Sequence, residues 1–222
     1  MATKRSIRGV IFDVDGTLID SNDAHARAWV ETLEEFDITV AYDDVRRLIG
    51  MGGDKLLPEL CNIDKDSDLG KQISDRRAEL FKRRYLGTVT ALPGSHDLLV
   101  RLRDTGLRLA VASSAKKEEL APFLKIAGAE GLFEEKTSSD DAASSKPDPD
   151  IVAAALDRLG LDPEEVVMIG DTPYDVEAAN RARIDVIAFR SGGWGDEDLA
   201  AAVAVYDGPA DLLESLDESP LG

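Results

Sequence analysis

Two carboxylates lie two residues apart in the run Asp13-Val14-Asp15-Gly16-Thr17. The run follows a short apolar stretch, so we expect it at the end of a strand, where residues i and i+2 point to the same side. Two acids held in this way can share one metal ion and one substrate. Hydrolysis of a phosphate monoester needs a nucleophile, neutralised phosphoryl oxygens and a proton for the leaving oxygen. The pair therefore indicates phosphoryl chemistry, although a DxDG run is also common in turns and calcium-binding loops.

A second acidic cluster follows another apolar stretch, with Asp171 and Asp175 in residues 170–175. Carboxylates that follow two parallel strands converge on one crevice, so we expect this cluster beside the first. Ligand sets made only of oxygen suit Mg²⁺, and the sequence offers no competing set of His and Cys. Asp171 alone would be interpreted as a helix N-cap.

Ser113 and Lys146 supply the neutral and positive groups that such a site needs. Ser113 is expected at a strand end, where its hydroxyl would donate to a phosphoryl oxygen. Lys146 would neutralise the nucleophile and the phosphoryl group together. Taken singly, these two residues are a turn serine and a surface lysine.

The elements that must position these residues are short apolar runs alternating with helical patterns. The runs span residues 9–13, 107–113, 165–170 and 185–189. Helices are predicted to begin after Pro93-Gly94-Ser95 and at an Asp148 N-cap followed by Pro149; Gly106 and Gly160 are predicted helix ends. The alternation predicts an α/β fold with a parallel, doubly wound sheet.

The strand pattern disappears between about Asp20 and Gly87, where Trp29, Leu33 and Phe36 fall on one helical face. We predict an inserted all-helical cap at residues 20–87, with the core formed by residues 1–19 and 88–222. The insert follows the first strand and its loop, where parallel sheets keep their ligand crevice, so it would cover an active site. The alternative is a helical subdomain that only adds stability.

Composition excludes some classes of partner. The 26 Lys and Arg against 44 Asp and Glu give a net charge of −18, which repels nucleic acid and anionic membranes. We therefore expect neither as a partner. The sequence contains no long apolar seam that would indicate a subunit interface, so we expect a monomer. The single cysteine excludes an intrachain disulfide, and the apolar run Val10-Ile11-Phe12 is too short for a signal peptide or membrane span, so a cytoplasmic location is expected.

The motifs, in this order along the chain, resemble those of the haloacid dehalogenase superfamily, specifically its capped subgroup of phosphoglycolate phosphatases and β-phosphoglucomutases. They are residues 13–18, Ser113, Lys146-Pro147 and residues 170–175. The resemblance spans nearly the whole chain. It implies a Rossmann-like core with a helical cap inserted after the first motif.

The resemblance also implies catalytic roles. Asp13 would attack phosphorus and form an aspartyl-phosphate. Asp15, oriented by Thr17, would protonate the leaving group and then deprotonate the hydrolytic water. Ser113 and the backbone N–H of Ser114 would bind the phosphoryl oxygens together with the lysine.

A magnesium site is implied by the same resemblance. The ion would be held by the Asp13 carboxylate, the Asp15 backbone carbonyl and Asp171. Asp175 would lie behind these ligands, near the metal and Lys146.

Asp15 also selects among the reactions of the superfamily. Dehalogenases and phosphonoacetaldehyde hydrolases lack an acid at this position, so its presence implies phosphoryl transfer. We expect a phosphatase that acts on a small phosphorylated metabolite. The rival is a phosphomutase similar to β-phosphoglucomutase. The run His25-Ala26-Arg27-Ala28-Trp29, in the predicted first cap helix, resembles the sequence of that subgroup. That subgroup carries Glu where this chain has Gly170. It also carries Arg in the cap loop that corresponds to residues 49–55, which contain no Arg here, so the grip on a second phosphate would be weaker. A silent phosphate-binding module is the third possibility, yet both acids of the first motif are present.

Substrate contacts in the cap are expected from His25, from Gly52 and Gly53 in a loop between helices, and from Lys55. Each has a plain alternative: His25 would pack on Trp29, and Lys55 would be a solvated helix residue. The run Gly192-Gly193-Trp194-Gly195 is expected either to border the site or to plug the core through its Trp ring.

Overall fold

A computed structural model describes residues 6–222. Residues 1–5 lie outside this range, and with them the first residues of the predicted core. The strands of the described part are β1 (Gly9–Phe12), β2 (Ile19–Asp20), β3 (Thr90–Ala91), β4 (Arg108–Ala112), β5 (Glu135–Thr137), β6 (Val166–Gly170), β7 (Asp185–Phe189) and β8 (Ala204–Tyr206). Six of them form one parallel sheet in the order β5-β4-β1-β6-β7-β8.

The parallel, doubly wound sheet confirms the predicted fold class. Strand β1 lies at its centre, with Phe12 paired to Val111 of β4 and to Ile169 of β6. Alternate residues of β1 enter opposite apolar clusters, Val10 and Phe12 on one face and Ile11 on the other. The four predicted runs are strands to within two residues. The short outer strands β5 and β8 were not predicted, because three-residue strands carry almost no periodicity.

Helices cover both faces of the sheet and fill the stretch between β2 and β3. Within residues 6–222 the α-helices are α1 (Asn22–Glu35), α2 (Tyr42–Leu48), α3 (Gly53–Cys61), α4 (Asp68–Leu80), α5 (Ser95–Asp104), α6 (Lys117–Ile126), α7 (Asp150–Leu159), α8 (Pro173–Arg181) and α9 (Pro209–Glu214). A π-helical turn at Phe81–Tyr85 and a 3₁₀ turn at Leu86–Thr88 follow α4. None of the described helices is long and apolar enough to cross a membrane.

Helices α1 to α4 and the two turns after them form what we call the helical segment, residues 22–88. It has an apolar cluster of its own, to which Trp29, Leu33 and Ile73 contribute buried side chains. Its two ends are brought together by the antiparallel pair β2 and β3, where Ile19 faces Ala91. The helical content agrees with the sequence pattern, while the division into two domains stays a prediction.

The start of α7 differs from the sequence prediction. The helix begins at Asp150 with Pro149 as its N-cap residue, and not at an Asp148 cap. The Asp148 carboxylate instead accepts from Lys55 at 2.6 Å and from Arg181 at 3.0 Å, so two cations hold it away from the helix end. Gly160 ends α7 in the left-handed conformation with φ of 61°, as predicted.

Candidate active site

The predicted motif residues meet at the carboxyl edge of the sheet. Asp13 directly follows β1, Ser113 follows β4 and Asp171 follows β6. Because β1 lies between β4 and β6, these three strand ends are neighbours. Lys146 reaches the same place from the loop before α7.

Lys146 lies between two carboxylates. Its Nζ is 2.6 Å from Oδ1 of Asp13 and 2.7 Å from Oδ1 of Asp175, and the side chain is 1% exposed. Burial alone would lower the pKa of Lys146, but the two carboxylates outweigh it and raise the pKa above its usual value. The ammonium therefore stays charged beside Asp13 at any physiological pH.

Three carboxylates face this one ammonium. Asp13, Asp171 and Asp175 are buried, and each offers an oxygen within 4.8 Å of the others. Burial and the neighbouring charge of Asp175 raise the pKa of Asp171 to about 7. Burial likewise raises the pKa of Asp13, although Lys146 opposes the shift. Such an excess of buried negative charge, offered only by oxygens, fits a hard divalent cation.

Asp171 is held by two side chains from the start of the chain. Oγ1 of Thr17 donates to its Oδ1 and Nδ2 of Asn22 donates to its Oδ2, both at 2.9 Å. The predicted contact of Thr17 with Asp15 is therefore wrong, because the hydroxyl turns to Asp171. Two glycines make room for this carboxylate: a Cβ would lie 2.1 Å from Asp171 Oδ2 at Gly16 and 2.4 Å from it at Gly192.

The N-cap interpretation of Asp171 is also wrong. Thr172 is the N-cap of α8, and its side chain accepts from the backbone N–H of Asp175. The Oδ2 of Asp175 accepts in return from the Thr172 hydroxyl at 2.6 Å and from the Thr172 N–H at 3.1 Å. Both oxygens of Asp175 are thus engaged, one by the cap and one by the lysine.

Asp15 is held by a residue of the helical segment and by the residue directly before that segment. Ser21 Oγ donates to Asp15 Oδ1 at 2.6 Å, and Nε2 of His25 lies 2.8 Å from the same oxygen. The other ring nitrogen of His25 contacts Nη2 of Arg77. Because a guanidinium can only donate, Nδ1 accepts and Nε2–H donates to Asp15. Burial raises the pKa of Asp15, but the contacts with His25 and Ser21 outweigh it and lower the pKa.

This arrangement corrects the prediction for His25. Both of its ring nitrogens are engaged, so neither is free to bond a substrate. The ring also stacks on Phe81, with centroids 4.2 Å apart, and not on Trp29 as the alternative expected. The contacts of Ser21 and Arg77 were not predicted from the sequence, because no local pattern links these residues to Asp15.

Lys55 makes an ion pair with a residue of the core. Its Nζ lies 2.6 Å from Oδ2 of Asp148, and its contact with a substrate stays a prediction. The neighbouring Gly52 donates its N–H to Ser145 Oγ at 3.1 Å. Gly53 lies near Trp29, since a Cβ added at this glycine would be 3.6 Å from the ring.

The two serines after β4 differ in exposure. Ser113 is buried, and its Oγ accepts from the N–H of Ala115 at 3.1 Å. Ser114 is partly buried, and its Oγ donates to the carbonyl of Gly50 at 3.3 Å. Their binding of phosphoryl oxygens stays a prediction.

A cavity of about 330 Å³ opens between the acidic cluster and the helical segment. Its lining includes Asp13 and Asp15 from the core and Trp29 and Met51 from the helical segment. Its charged wall includes residues that the sequence analysis missed, namely Asp54, Arg77, Lys116 and Glu119. Trp194 lies elsewhere, packed edge-on against Tyr174 with centroids 6.1 Å apart, which favours the packing alternative for this ring.

Comparison with known proteins gives a family match over most of the chain. A family model described as haloacid dehalogenase-like hydrolase matches residues 10–189. The phosphoglycolate phosphatase of Aquifex aeolicus is 31% identical over 218 residues, which cover 95% of this chain and 97% of that protein.

Solved structures agree with this match. A hydrolase from Pseudomonas syringae superposes with a TM-score of 0.88 at 33% identity, covering 95% of this chain and 98% of the other. CbbY from Rhodobacter sphaeroides, solved in complex with phosphate, has a TM-score of 0.80 at 27% identity, with 95% and 99% covered. A structure described as a putative β-phosphoglucomutase from Thermotoga maritima has a TM-score of 0.71 at 30% identity, with 96% and 99% covered.

Proposed function

Because this chain belongs to the haloacid dehalogenase-like hydrolase family, we propose that it is a magnesium-dependent phosphatase of a small phosphorylated metabolite. The reaction is hydrolysis of a phosphate monoester through an aspartyl-phosphate on Asp13. Relatives named as phosphatases, such as the Aquifex aeolicus protein, support this reaction class.

The observation that carries the proposal is the contact of Asp13 with Lys146. Asp13 is 4% exposed, its Oδ1 lies 2.6 Å from the buried ammonium, and it lines the cavity. These features support its role as the nucleophile that attacks the phosphoryl group. Lys146 keeps this carboxylate oriented and offsets the charge that gathers when a phosphoryl group approaches. Asp15 lies beside it but is held by a separate set of donors, which fits separate roles for the two acids.

Asp15 acts as the general acid and base in this mechanism. It gives a proton to the leaving oxygen and then takes one from the water that attacks the aspartyl-phosphate. His25 and Ser21 keep its carboxylate in place, and an incoming phosphoryl dianion favours the protonated acid that the first step requires.

Magnesium fits the acidic cluster on the chemistry of its donors. We assign Asp13, the Asp15 backbone carbonyl and Asp171 as ligands, with Asp175 supporting Lys146 behind them. When bound, the ion supplies positive charge to the phosphoryl oxygens. Thr17 and Asn22 fix the Asp171 carboxylate for this purpose, and Ser113, the Ser114 N–H and Lys146 complete the phosphoryl site.

The helical segment acts as a cap over this site, and residues 20–87 form the cap domain in this proposal. The cavity of about 330 Å³ suits a small metabolite and not a polymer. The net charge of −18 disfavours nucleic acid. A monomer in the cytoplasm, which the single cysteine suits, completes the proposal.

A phosphomutase is the second candidate, since one similar structure is described as a putative β-phosphoglucomutase. The geometry around Gly170 favours the phosphatase. A Cβ at this position would lie 2.5 Å from Cβ of Asp175, so the Glu of the mutase subgroup has no room beside the present Asp175.

The test is phosphate release from a panel of phosphorylated metabolites, with and without Mg²⁺. Metal-dependent release from at least one small monoester is expected. Incubation with a sugar monophosphate and its bisphosphate separates the candidates, because isomer without free phosphate would establish the mutase. No turnover of any phosphate ester would leave a silent binding module.

A further inference from the structure

One turn of the helical segment holds the loop that carries Lys146. Asp54, in the first turn of α3, accepts from the Ser145 hydroxyl through Oδ1 and from the Ser145 N–H through Oδ2, the latter at 3.2 Å. The N–H of Gly52 donates to Ser145 Oγ at 3.1 Å, and Lys55 pairs with Asp148 at 2.6 Å. We call these four contacts the clamp.

The clamp encloses Lys146 from both sides along the chain. Ser145 precedes the lysine and Asp148 follows it by two residues. Ser145 is 5% exposed and Lys146 is 1% exposed, so the loop is buried at the point where it is held. Residues of the helical segment therefore hold the loop on both sides of Lys146, together with two contacts from the core, Arg181 with Asp148 at 3.0 Å and the Ser144 N–H with Asp150 at 3.1 Å.

The fit at Ser145 leaves little freedom. Its hydroxyl donates to Asp54 and accepts from Gly52, which uses both kinds of bond that a hydroxyl offers. A Cβ at position 52 would lie 2.4 Å from Ser145 Oγ, so the loop is in contact with a bare backbone. Asp54 also lies at the N-terminus of α3, where the helix dipole stabilises its negative charge.

Placement of the ammonium matters for the reaction proposed above. Lys146 Nζ must meet both Asp13 and Asp175 within hydrogen-bond distance, and displacements of about 1 Å from a reactive geometry can cost roughly a hundredfold in rate. A loop released by the helical segment would let the ammonium leave this position.

We propose that Asp54 is a positioning residue for Lys146: through Ser145 it couples closure of the helical segment to the placement of the cation beside the nucleophile. The inference rests on the proposed phosphatase function. When the helical segment moves away, the clamp opens and the loop of Lys146 is no longer held, so the nucleophile is fully supported only over a closed site. Asp54 acts through Ser145 and does not need to touch the substrate.

The first arm of the test does not depend on activity. In Asp54→Asn the new amide offers one acceptor oxygen in place of two, so one contact with Ser145 is lost with little change of shape. Hydrogen exchange of peptides covering residues 143–149 should become about tenfold faster, while peptides of β1 stay unchanged. Ser145→Ala should give the same change, and Glu59→Gln, which removes a carboxylate from the exposed side of α3, should not.

The second arm measures kcat and KM on the best substrate found. Asp54→Asn and Ser145→Ala should each lower kcat about tenfold or more with little change of KM, and the double variant should be no worse than the poorer single one. Glu59→Gln should match the wild type.

Several results would overturn the proposal. Unchanged exchange in Asp54→Asn would show that the clamp does not hold the loop, and faster exchange with normal kcat would show that the loop need not be held. A raised KM with normal kcat would make Asp54 a substrate contact. A wild-type protein without turnover would refute the phosphatase function itself, and the exchange arm would still decide whether Asp54 holds the loop.

Discussion

Nε2 of His25 donates to Oδ1 of Asp15 across 2.8 Å, so a helix of the helical segment orients the proposed acid–base residue of the core. Arg77 determines this direction of donation by occupying the other ring nitrogen. The acid therefore depends on a residue outside the sheet for its orientation.

His25→Ala should lower kcat about tenfold to a hundredfold, since general acid–base catalysis depends on the placement of the acid. KM should change less, because both ring nitrogens are occupied by protein groups. Steady-state kinetics checks this. The matched control is His96→Ala, which alters the other of the two histidines, whose ring bonds to the Gly128 carbonyl. Normal kcat in His25→Ala would contradict the orienting role.

Asp13→Asn should reduce turnover by about a thousandfold or more, the scale expected when a covalent nucleophile is lost. An amide of the same shape keeps the fold, so circular dichroism should match the wild type. Asp15→Asn should instead slow both chemical steps and leave Mg²⁺ binding largely intact, because the backbone carbonyl remains. Near-normal turnover in Asp13→Asn would refute the assigned nucleophile.

Lys146→Met should destabilise the protein by about 3 kcal/mol, because removal of one partner leaves buried carboxylates without their counter-charge. Turnover should fall with it. Chemical denaturation measures the first effect and phosphate release the second. Lys136→Met, at an exposed position of β5, is the control for loss of a lysine. Equal stability of the two variants would show that the buried pairs are not required.

Gly192→Ala should weaken the site, because the added Cβ would lie 2.3 Å from the Asp171 carbonyl oxygen and 2.4 Å from its Oδ2. We expect a lower affinity for Mg²⁺, measured by titration calorimetry, and about tenfold lower kcat/KM. Gly195→Ala is the control from the same loop, where the nearest atom would lie at 3.7 Å. Equal behaviour of both variants would exclude close packing against Asp171 as a requirement.

In the metal-free protein, the contribution of Asp171 to stability should fall as pH rises from about 4 to about 7. Burial and the charge of Asp175 raise the pKa of Asp171 from 3.8 to about 7, so in this window the folded state binds a proton that the unfolded state has released. Stability from this group is present at the acid end and lost at the alkaline end. Thermal unfolding should show the fall, and Mg²⁺ should raise Tm more at pH 8 than at pH 5.5.

Asp171→Asn provides the comparison, because its amide does not titrate and the slope from this position should vanish. A wild-type slope identical to that of the variant would show that Asp171 does not titrate in this window.

The sequence by itself determined the sheet and the place of the chemistry. Strands β1, β4, β6 and β7 are apolar runs whose periodicity is local, and the Asp13–Asp15 spacing fixes both acids at one strand end. The acidic oxygens at two strand ends already implied a common hard cation. The parallel direction of these strands follows from their alternation with helices, whereas the pairing of β1 with β6 is known from the structure.

Only the tertiary structure decided which side chains support these acids. Asn22 lies 149 positions from Asp171 in sequence, Thr17 lies 154 from it, and Asp54 lies 91 from Ser145. Short polar side chains such as these carry no periodicity, and each has many partners of equal chemistry elsewhere in the chain. Their choice depends on how the helical segment packs over the sheet, which is set by burial of whole surfaces and not by any local run of residues.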